Sequence, residues 1–215
     1  MPAIFPRWTN QIPFALGLLG PLGGAFLIWA VWYWFSPWYT DVGYRPEQPV
    51  AYSHKLHAGD MGIDCRYCHN TVERAAHAAI PPTQTCMNCH SQVKTDSPRL
   101  APIRHSHATG EAIPWVRVHQ LPDYAYFDHS VHVAAGVGCA SCHGRVDQMT
   151  VVQMVKPLSM GWCLDCHRNP EPNLRPLDQV TNMAWDASKS QYDPNTDPKR
   201  KRKVNPPVHC SGCHR

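Results

Sequence analysis

The sequence predicts one N-terminal transmembrane helix followed by a mostly irregular domain of short helices, arranged around bound groups rather than an apolar core. Three observations lead to this prediction. No charged residue occurs between Arg7 and Asp41, cysteine appears only in closely spaced pairs, and two segments repeat the same order of aromatic residue, histidines and cysteine pairs. The length of 215 residues allows one or two domains, and the net charge of +4 gives no sign of a nucleic-acid partner.

All ten cysteines belong to five C-x-x-C-H motifs. This is the attachment signature of c-type haem, because two cysteines on one tight turn each form a thioether to the porphyrin and the next histidine binds the iron. A structural zinc site would join two such knuckles, which an odd number fits badly, and a dithiol redox pair would occur once. The sequence therefore predicts five covalently bound haem c groups. The motifs are Cys65, Cys68 and His69 (motif I); Cys86, Cys89 and His90 (motif II); Cys139, Cys142 and His143 (motif III); Cys163, Cys166 and His167 (motif IV); and Cys210, Cys213 and His214 (motif V).

Residues 41–215 are rich in proline, charge and turn residues and lack long apolar periodic runs. Such a segment should bury too little apolar surface by itself, so we expect the porphyrins to supply the core, with short helices around them and little sheet. Residues 115–121 alternate like a short strand. The predicted segments are the arm and transmembrane anchor at 1–40, a two-haem module A at 41–94, a connector at 95–125, a two-haem module B at 126–170, and an irregular C-terminal segment with the fifth haem at 171–215.

The run from Ile12 to Phe35 is almost wholly apolar and exceeds the roughly 20 residues needed to cross a bilayer as a helix. A cleaved secretory signal is the alternative, but the length of the run and the tryptophans and tyrosines at its end favour a permanent anchor. Gly20-x-x-x-Gly24 would allow close packing against other membrane subunits. Because haem is attached outside the cytoplasm in bacteria, we expect a single-pass protein of the cytoplasmic (inner) membrane with its haem domain on the periplasmic side.

Each predicted module opens with an aromatic residue and two histidines. Residues 52–57 (Tyr-Ser-His-Lys-Leu-His) precede motifs I and II, and residues 127–132 (Phe-Asp-His-Ser-Val-His) precede motifs III and IV. Histidines three positions apart on a helical turn present both imidazoles on one side, so one pair can reach two neighbouring haems. A second, distal histidine makes the iron a six-coordinate electron carrier. We therefore predict distal ligands at His54, His57, His129 and His132.

A fifth iron needs a fifth distal ligand. His119, just before module B, is the first candidate and His77 the second, while a methionine such as Met149 is a further alternative. His105 and His107 lie in the connector, where exposure to solvent is expected. No residue of the sequence is assigned a catalytic role.

The module openers resemble those of small multihaem cytochromes of the c7 and c3 type. In those proteins the first histidine of the opener binds the haem of the next motif, and the second reaches a different haem. The resemblance implies four ligand pairs: His54 with His69, His129 with His143 and, most simply, His57 with His90 and His132 with His167.

Longer stretches around the motifs resemble the pentahaem cytochrome subunit family (ActA) of alternative complex III, a bacterial quinol:electron-acceptor oxidoreductase. The likeness covers nearly the whole chain. It is carried by Cys65-Arg-Tyr-Cys-His69, Ile80-Pro-Pro-Thr-Gln-Thr-Cys-Met-Asn-Cys-His90, Pro114-Trp-Val-Arg-Val-His119 and Leu158-Ser-Met-Gly-Trp-Cys-Leu-Asp-Cys-His167.

This resemblance implies an electron-transfer subunit that is not catalytic alone. Integral membrane quinol-binding subunits and an iron–sulfur subunit would oxidise the quinol. The five haems, with a monohaem cytochrome c subunit, would then carry the electrons to a periplasmic copper protein or cytochrome acceptor. The alternative is a multihaem quinol dehydrogenase of the NapC/NrfH type, which oxidises quinol itself. A substrate-converting haem enzyme is disfavoured, because spare histidines are abundant and a C-x-x-C-K motif is absent.

Overall fold

The computed structural model describes residues 4–198 and 203–214, so the ends of the first and last predicted segments (1–3, 199–202 and 215) lie outside the described residues. The chain divides into two compact units, Met1–Asp41 and Val42–Arg215. The first contains the predicted anchor, and the second contains all five C-x-x-C-H motifs.

The N-terminal unit is built on one long helix. A 3₁₀ turn at Arg7–Gln11 leads into helix α1 at Ile12–Trp34, and the short helix α2 follows at Pro37–Thr40. The 23 residues of α1 extend about 34 Å, enough to cross a hydrocarbon core of about 30 Å. The most apolar 18-residue stretch within Arg7–Trp34 has a mean hydropathy of 1.9, and within the described residues this is the single helix long and apolar enough to span a membrane.

Aromatic rings cluster where α1 ends. The Trp29 and Tyr33 rings stack with centroids 5.7 Å apart, and Tyr39 of α2 meets the Trp34 ring edge-on at 4.7 Å. Such rings prefer the boundary between lipid and water, because they combine an apolar body with a polar N–H or O–H group. The cluster therefore lies where the predicted interfacial belt requires it.

The second unit consists of short helices joined by irregular segments, as predicted. Its described residues form no strand ladder, only an isolated antiparallel bridge between Val137 and Leu174. Beyond a π-helical turn at Lys55–Asp60, the helices are α3 (Cys65–Cys68), α4 (Thr83–His90), α5 (Ala101–Thr109), α6 (His129–Ala134), α7 (Cys139–His143) and α8 (Met160–Arg168). The 3₁₀ turns are Pro98–Leu100, Val146–Gln148, Glu171–Asn173, Leu177–Gln179, Ala187–Lys189 and Cys210–Gly212.

The apolar core of this unit is very small. In an ordinary domain, many large apolar side chains pack against one another in the interior. Few of the described residues of this unit do so, which fits a chain whose core is completed by a bound group. The buried aliphatic, methionine and proline residues among those described are Val50, Ile103, Met154, Pro157, Pro170, Leu174 and Val180.

One local prediction needs correction. Residues 115–121 do not form a strand, because their backbone is hydrogen-bonded to a side chain instead of to another strand. The Gln48 amide donates to the Val116 carbonyl (2.9 Å) and accepts from the Val116 N–H (3.0 Å). Part of the connector is helical, since α5 has proline in its first turn, where no hydrogen bond is lost, and Gly110 ends it at φ 78°.

Candidate haem-binding centres

Each C-x-x-C-H motif lies on a helical turn, so both thiols and the histidine project to one side. Motifs I–IV lie on α3, α4, α7 and α8, and motif V occupies the last 3₁₀ turn. Two of these turns begin at a side-chain cap: Asp64 accepts from the Arg66 N–H (2.8 Å) and Ser159 from the Trp162 N–H (3.3 Å). Such caps satisfy N–H groups left free at a helix start and fix where the turn begins.

The module openers place their histidines in the same way. In the first, Tyr52 meets His54 edge-on at 4.8 Å and stacks on His57 at 4.5 Å. In the second, Phe127 meets His129 edge-on at 4.8 Å and stacks on His132, also at 4.5 Å. The two openers therefore share the same side-chain geometry, in which one aromatic ring packs against both imidazoles. Sequence reasoning noted these aromatic residues but gave them no role.

Four pairs of imidazoles face each other across nearly equal gaps. The ring centroids are 6.5 Å apart for His54–His69, 6.3 Å for His57–His90, 6.3 Å for His129–His143 and 6.1 Å for His132–His167.

These gaps match the size of one iron atom with two axial imidazoles. Two metal–nitrogen bonds of about 2 Å, with about 1 Å from each nitrogen to its ring centre, require about 6 Å between centroids. Imidazoles in direct contact would lie closer, and unrelated ones would show no common spacing. The donor set therefore fits haem. It does not fit a bare metal ion, because the described residues contain no cluster of three or more histidine, cysteine or acidic side chains suited to one.

Backbone carbonyls orient most of these imidazoles. An imidazole that donates Nδ1–H to a carbonyl leaves Nε2 free to bind a metal and becomes a more basic ligand. Seven candidate ligands have Nδ1 within 2.7–3.0 Å of a carbonyl oxygen: His57 (Ser53), His69 (Ala79), His90 (Val93), His129 (Ala76), His132 (Asp128), His167 (Pro207) and His214 (Tyr124). Sequence reasoning could not find these acceptors, because a main-chain carbonyl leaves no signal in the sequence.

His54 and His143 are held by burial instead. Burial lowers the pKa of His54 to about 4 and that of His143 to about 3, with the neighbouring imidazoles acting in the same direction. The His54 Nδ1 atom is buried with no hydrogen-bond partner. Both imidazoles are therefore neutral near pH 7, which is the form that binds a metal.

The candidates for the fifth distal ligand are dispersed. His119 is half-buried, its Nε2 atom is buried with no hydrogen-bond partner, and its ring meets His143 edge-on at 4.4 Å rather than lying against His214. His214 has the Tyr124 ring as its aromatic neighbour among the described residues, at 5.8 Å. His77 is exposed, and the backbone of Met149 bonds to Lys55. His105 and His107 are exposed on α5, and His105 is 3.1 Å from Glu111.

None of the ten cysteines forms a disulfide, so all ten are available for thioether attachment. The Cys65 and Cys139 side chains share a hydrogen bond, which raises the pKa of Cys65 and lowers that of Cys139. Burial, then the nearby Cys166 and Cys163, raises the pKa of Cys142 to about 12. The motifs are thus close neighbours, and the thiols of different motifs adjoin one another.

Comparison with known proteins supports the same cofactor. Residues 125–215 match the family described as cytochrome c7 and related cytochrome c. The menaquinone reductase, multiheme cytochrome c subunit, of Nitratidesulfovibrio vulgaris is 34% identical over 100 residues, which cover 46% of this chain and 47% of the relative. The chain thus spans about half the length of the curated relative it matches.

The C-x-x-C-H turns, the paired imidazoles and both comparisons lead to one assignment. Residues 125–215 carry a cytochrome c7-type domain, the chain is similar to a multihaem cytochrome c subunit, and its described residues include one N-terminal apolar helix.

Proposed function

We propose that this chain is a membrane-anchored relay subunit that carries electrons through five haem c groups within a quinol-oxidising complex of the alternative complex III type. The observation that carries the proposal is the common spacing of 6.1–6.5 Å in the four imidazole pairs. Bound haem supplies a one-electron iron couple. The proximal ligands are His69, His90, His143, His167 and His214, and the distal ligands are His54, His57, His129 and His132. His119 stays the first candidate for the fifth distal ligand, although its ring lies beside His143 rather than His214.

The residues around these pairs favour relay over substrate chemistry. An iron with two imidazoles has no position left for a substrate, so its role is confined to accepting and passing an electron. The Nδ1 bonds to carbonyls and the bracing rings of Tyr52 and Phe127 keep each imidazole in one orientation. A fixed ligand set needs little rearrangement when the charge of the metal changes, which favours rapid transfer.

The surroundings of the acidic residues argue against quinol oxidation by this chain itself. A base that accepts quinol protons would need an apolar pocket that tunes its pKa. Asp60 is instead paired with Lys55 at 3.0 Å, and Asp64 with Arg66 at 2.9 Å. The hydrogen bond from Arg66 holds the pKa of Asp64 at about 2, so this carboxylate does not take up a proton near pH 7.

The proposed partners follow from the resemblance and from the quinone-linked relative. They are integral membrane quinol-binding subunits, an iron–sulfur subunit, a monohaem cytochrome c subunit, and a periplasmic copper protein or cytochrome as acceptor. Helix α1 would hold the chain in the bacterial cytoplasmic membrane by a single span, with the haem domain on the periplasmic side. The name of the relative supports a membrane complex that handles menaquinone.

That name also favours a second candidate, in which the relay delivers electrons to quinone rather than taking them from quinol. The same ligand set serves either direction. The direction is decided by the potentials of the partners and not by the histidine pairs themselves.

The first experiment counts haems on the purified chain by intact mass spectrometry, where we expect five covalent additions. The second compares the chain alone with the complex purified from membranes. Both should accept electrons from dithionite. Only the complex should show inhibitor-sensitive haem reduction by a menaquinol analogue.

Rapid quinol-driven reduction of the chain alone would replace the proposal with a NapC/NrfH-type dehydrogenase. A complex that reduces a menaquinone analogue from reduced cytochrome, but fails in the opposite direction, would establish the second candidate.

A further inference from the structure

We infer that the five haem sites follow the spatial order II–I–III–IV–V rather than their order in the chain, and that sites II and V are the ends at which electrons enter and leave. This inference rests on the proposed function, because it assumes a haem at every motif. Contacts between neighbouring motifs link the sites in this order.

Motifs I and II adjoin directly. The Asn88 side-chain amide, between the two cysteines of motif II, donates to the Tyr67 hydroxyl, between the cysteines of motif I, at 3.2 Å. The distal histidines proposed for the two sites, His54 and His57, belong to the same opener. Site II therefore has site I as its neighbour.

Site I is joined to site III by one loop. The Ala79 carbonyl accepts from His69 of motif I at 2.9 Å, and the Ala76 carbonyl accepts from the Nδ1 of His129, the proposed distal ligand of site III, at 2.8 Å. The Cys65 and Cys139 thiols are close enough to influence each other's pKa.

A second segment, from the C-terminal part of the chain, also contacts both of these motifs. The Thr181 hydroxyl donates to Asp64, the cap of motif I, at 2.8 Å, and the Val180 carbonyl accepts from the Cys139 N–H at 3.1 Å. Site I therefore lies between sites II and III.

Sites III and IV share helix α6, whose His129 and His132 face His143 and His167. Site IV is then joined to site V: the Nδ1–H of His167 is directed at the Pro207 carbonyl (2.7 Å), just before motif V. The Tyr126 N–H donates to the Cys213 carbonyl at 2.8 Å. The Cys163 thiol is close enough to Cys213 for their charges to interact.

Burial agrees with this order. Of the ten motif cysteines, the exposed ones are Cys89 and Cys210, which belong to the two end sites. Electron exchange with a partner requires a site near the surface, so the ends of the series are also the places where partners can dock. The chain order I–V would instead place site I, with its half-buried cysteines, at an end.

Distances between pairs of introduced cysteines test the order on the full-length holoprotein. The native cysteines are consumed by thioethers, so only introduced thiols would react with a gadolinium maleimide label. The exposed positions Met61, Val93 and Val208 mark sites I, II and V, with side chains 53%, 53% and 55% exposed. Pulsed dipolar spectroscopy is performed on the dithionite-reduced chain, whose low-spin ferrous haems are diamagnetic.

We expect the Val93→Cys/Val208→Cys pair to be further apart than the Met61→Cys/Val208→Cys pair. The reverse ranking would overturn the order II–I–III–IV–V. The Met61→Cys/Val93→Cys pair is the control for neighbouring sites and should give the shortest distance. Mass spectrometry of the same samples counts the haems, and additional labelled thiols would reveal missing ones, so failure of the proposed function is seen separately from failure of the order.

Discussion

The imidazole rings of His54 and His69 lie parallel, with an interplanar angle of 0° and centroids 6.5 Å apart. The equivalent pair in the second module, His129 and His143, is nearly parallel at 11°. The pairs that use the second opener histidine are rotated, at 64° for His57–His90 and 39° for His132–His167. Each opener thus supplies one parallel and one rotated pair. Since the mutual orientation of axial imidazoles determines the ferric g-values, we expect two classes of low-spin EPR signal.

Removal of a proposed distal ligand should open one iron. We expect His54→Ala to create one five-coordinate haem that binds carbon monoxide, with the remaining haems still low-spin in the visible and resonance Raman spectra. The matched control is His107→Ala, because His107 is exposed on α5 and belongs to no imidazole pair among the described residues. Equal carbon monoxide binding by wild type and His54→Ala would remove His54 from the ligand set.

The same kind of experiment tests His119, whose Nε2 atom is buried, as the fifth distal ligand. An unsatisfied buried imidazole nitrogen is costly, by about 1–3 kcal/mol, unless it binds a partner such as a metal. His119→Ala should therefore produce one new carbon monoxide-binding haem out of five. Carbon monoxide titration of the reduced protein measures it. An unchanged spectrum would transfer the assignment to His77 or Met149, which the variants His77→Ala and Met149→Leu then distinguish.

Gly59 is required by a close contact between the two modules. A Cβ atom at this position would overlap the carbonyl oxygen of Asp147, and backbone cannot move aside as a side chain can. We expect Gly59→Ala to lower the free energy of unfolding by about 1–3 kcal/mol, measured by guanidinium titration in detergent. Gly161→Ala is the control: it lies in helix α8 with no atom within 4 Å of the added Cβ, and should be neutral or slightly stabilising.

The Asp64 carboxylate should contribute stability that depends on pH. Its pKa is lowered from 3.8 to about 2, first by the hydrogen bond from Arg66, so the folded state favours the ionised form. The contribution is present above about pH 4 and is lost as the pH falls through about 2. Solvent screening of this mostly exposed group limits it to about 1 kcal/mol or less.

We expect Asp64→Asn to lower the midpoint of guanidinium unfolding at pH 7 but not at pH 2. Asp123→Asn, at an exposed position, is the control. An equal loss at both pH values would contradict the electrostatic origin and indicate a packing defect.

Helix α1 should hold the chain in the membrane after carbonate washing. A charged residue in the middle of the span costs about 2.5–3.5 kcal/mol on insertion, so Leu22→Arg should reduce the membrane-bound fraction several-fold. Thr40→Arg, beyond the end of α1, should leave it unchanged. Membrane fractionation followed by haem staining measures both. Full retention of Leu22→Arg would indicate that partner subunits, not α1, hold the chain in place.

Local signals in the sequence predicted much of this architecture. The spacing of the C-x-x-C-H motifs is that of a helical turn, and the long uncharged run leads directly to α1. The prediction of little sheet followed from the lack of long apolar periodic runs, and the described residues form only an isolated bridge. The prediction of a connector at 95–125 did not include helix α5, which has Pro102 in its first turn and Gly110 just after its end.

The arrangement of the candidate sites could be predicted only in part. The pairing of His54 with His69 follows from residues close in the chain and from the c7/c3 resemblance. The position of His119 beside His143, the carbonyls of Ala76 and Ala79, and the contact between Cys65 and Cys139 depend on long-range packing. No periodicity in the sequence encodes such contacts.

The contacts between the modules have a consequence for the biosynthesis of the protein. The opener of module A is bonded to module B, since the Lys55 N–H donates to the Met149 carbonyl at 2.9 Å, while the His129 N–H of module B donates to Ala76 of module A at 3.1 Å. With the proposed periplasmic location, module A would leave the translocation channel first, before its native partners in module B have been exported. The repeat is therefore not a pair of independently folding units, and a chain truncated after residue 94 should be a substrate for periplasmic proteases rather than a smaller functional cytochrome.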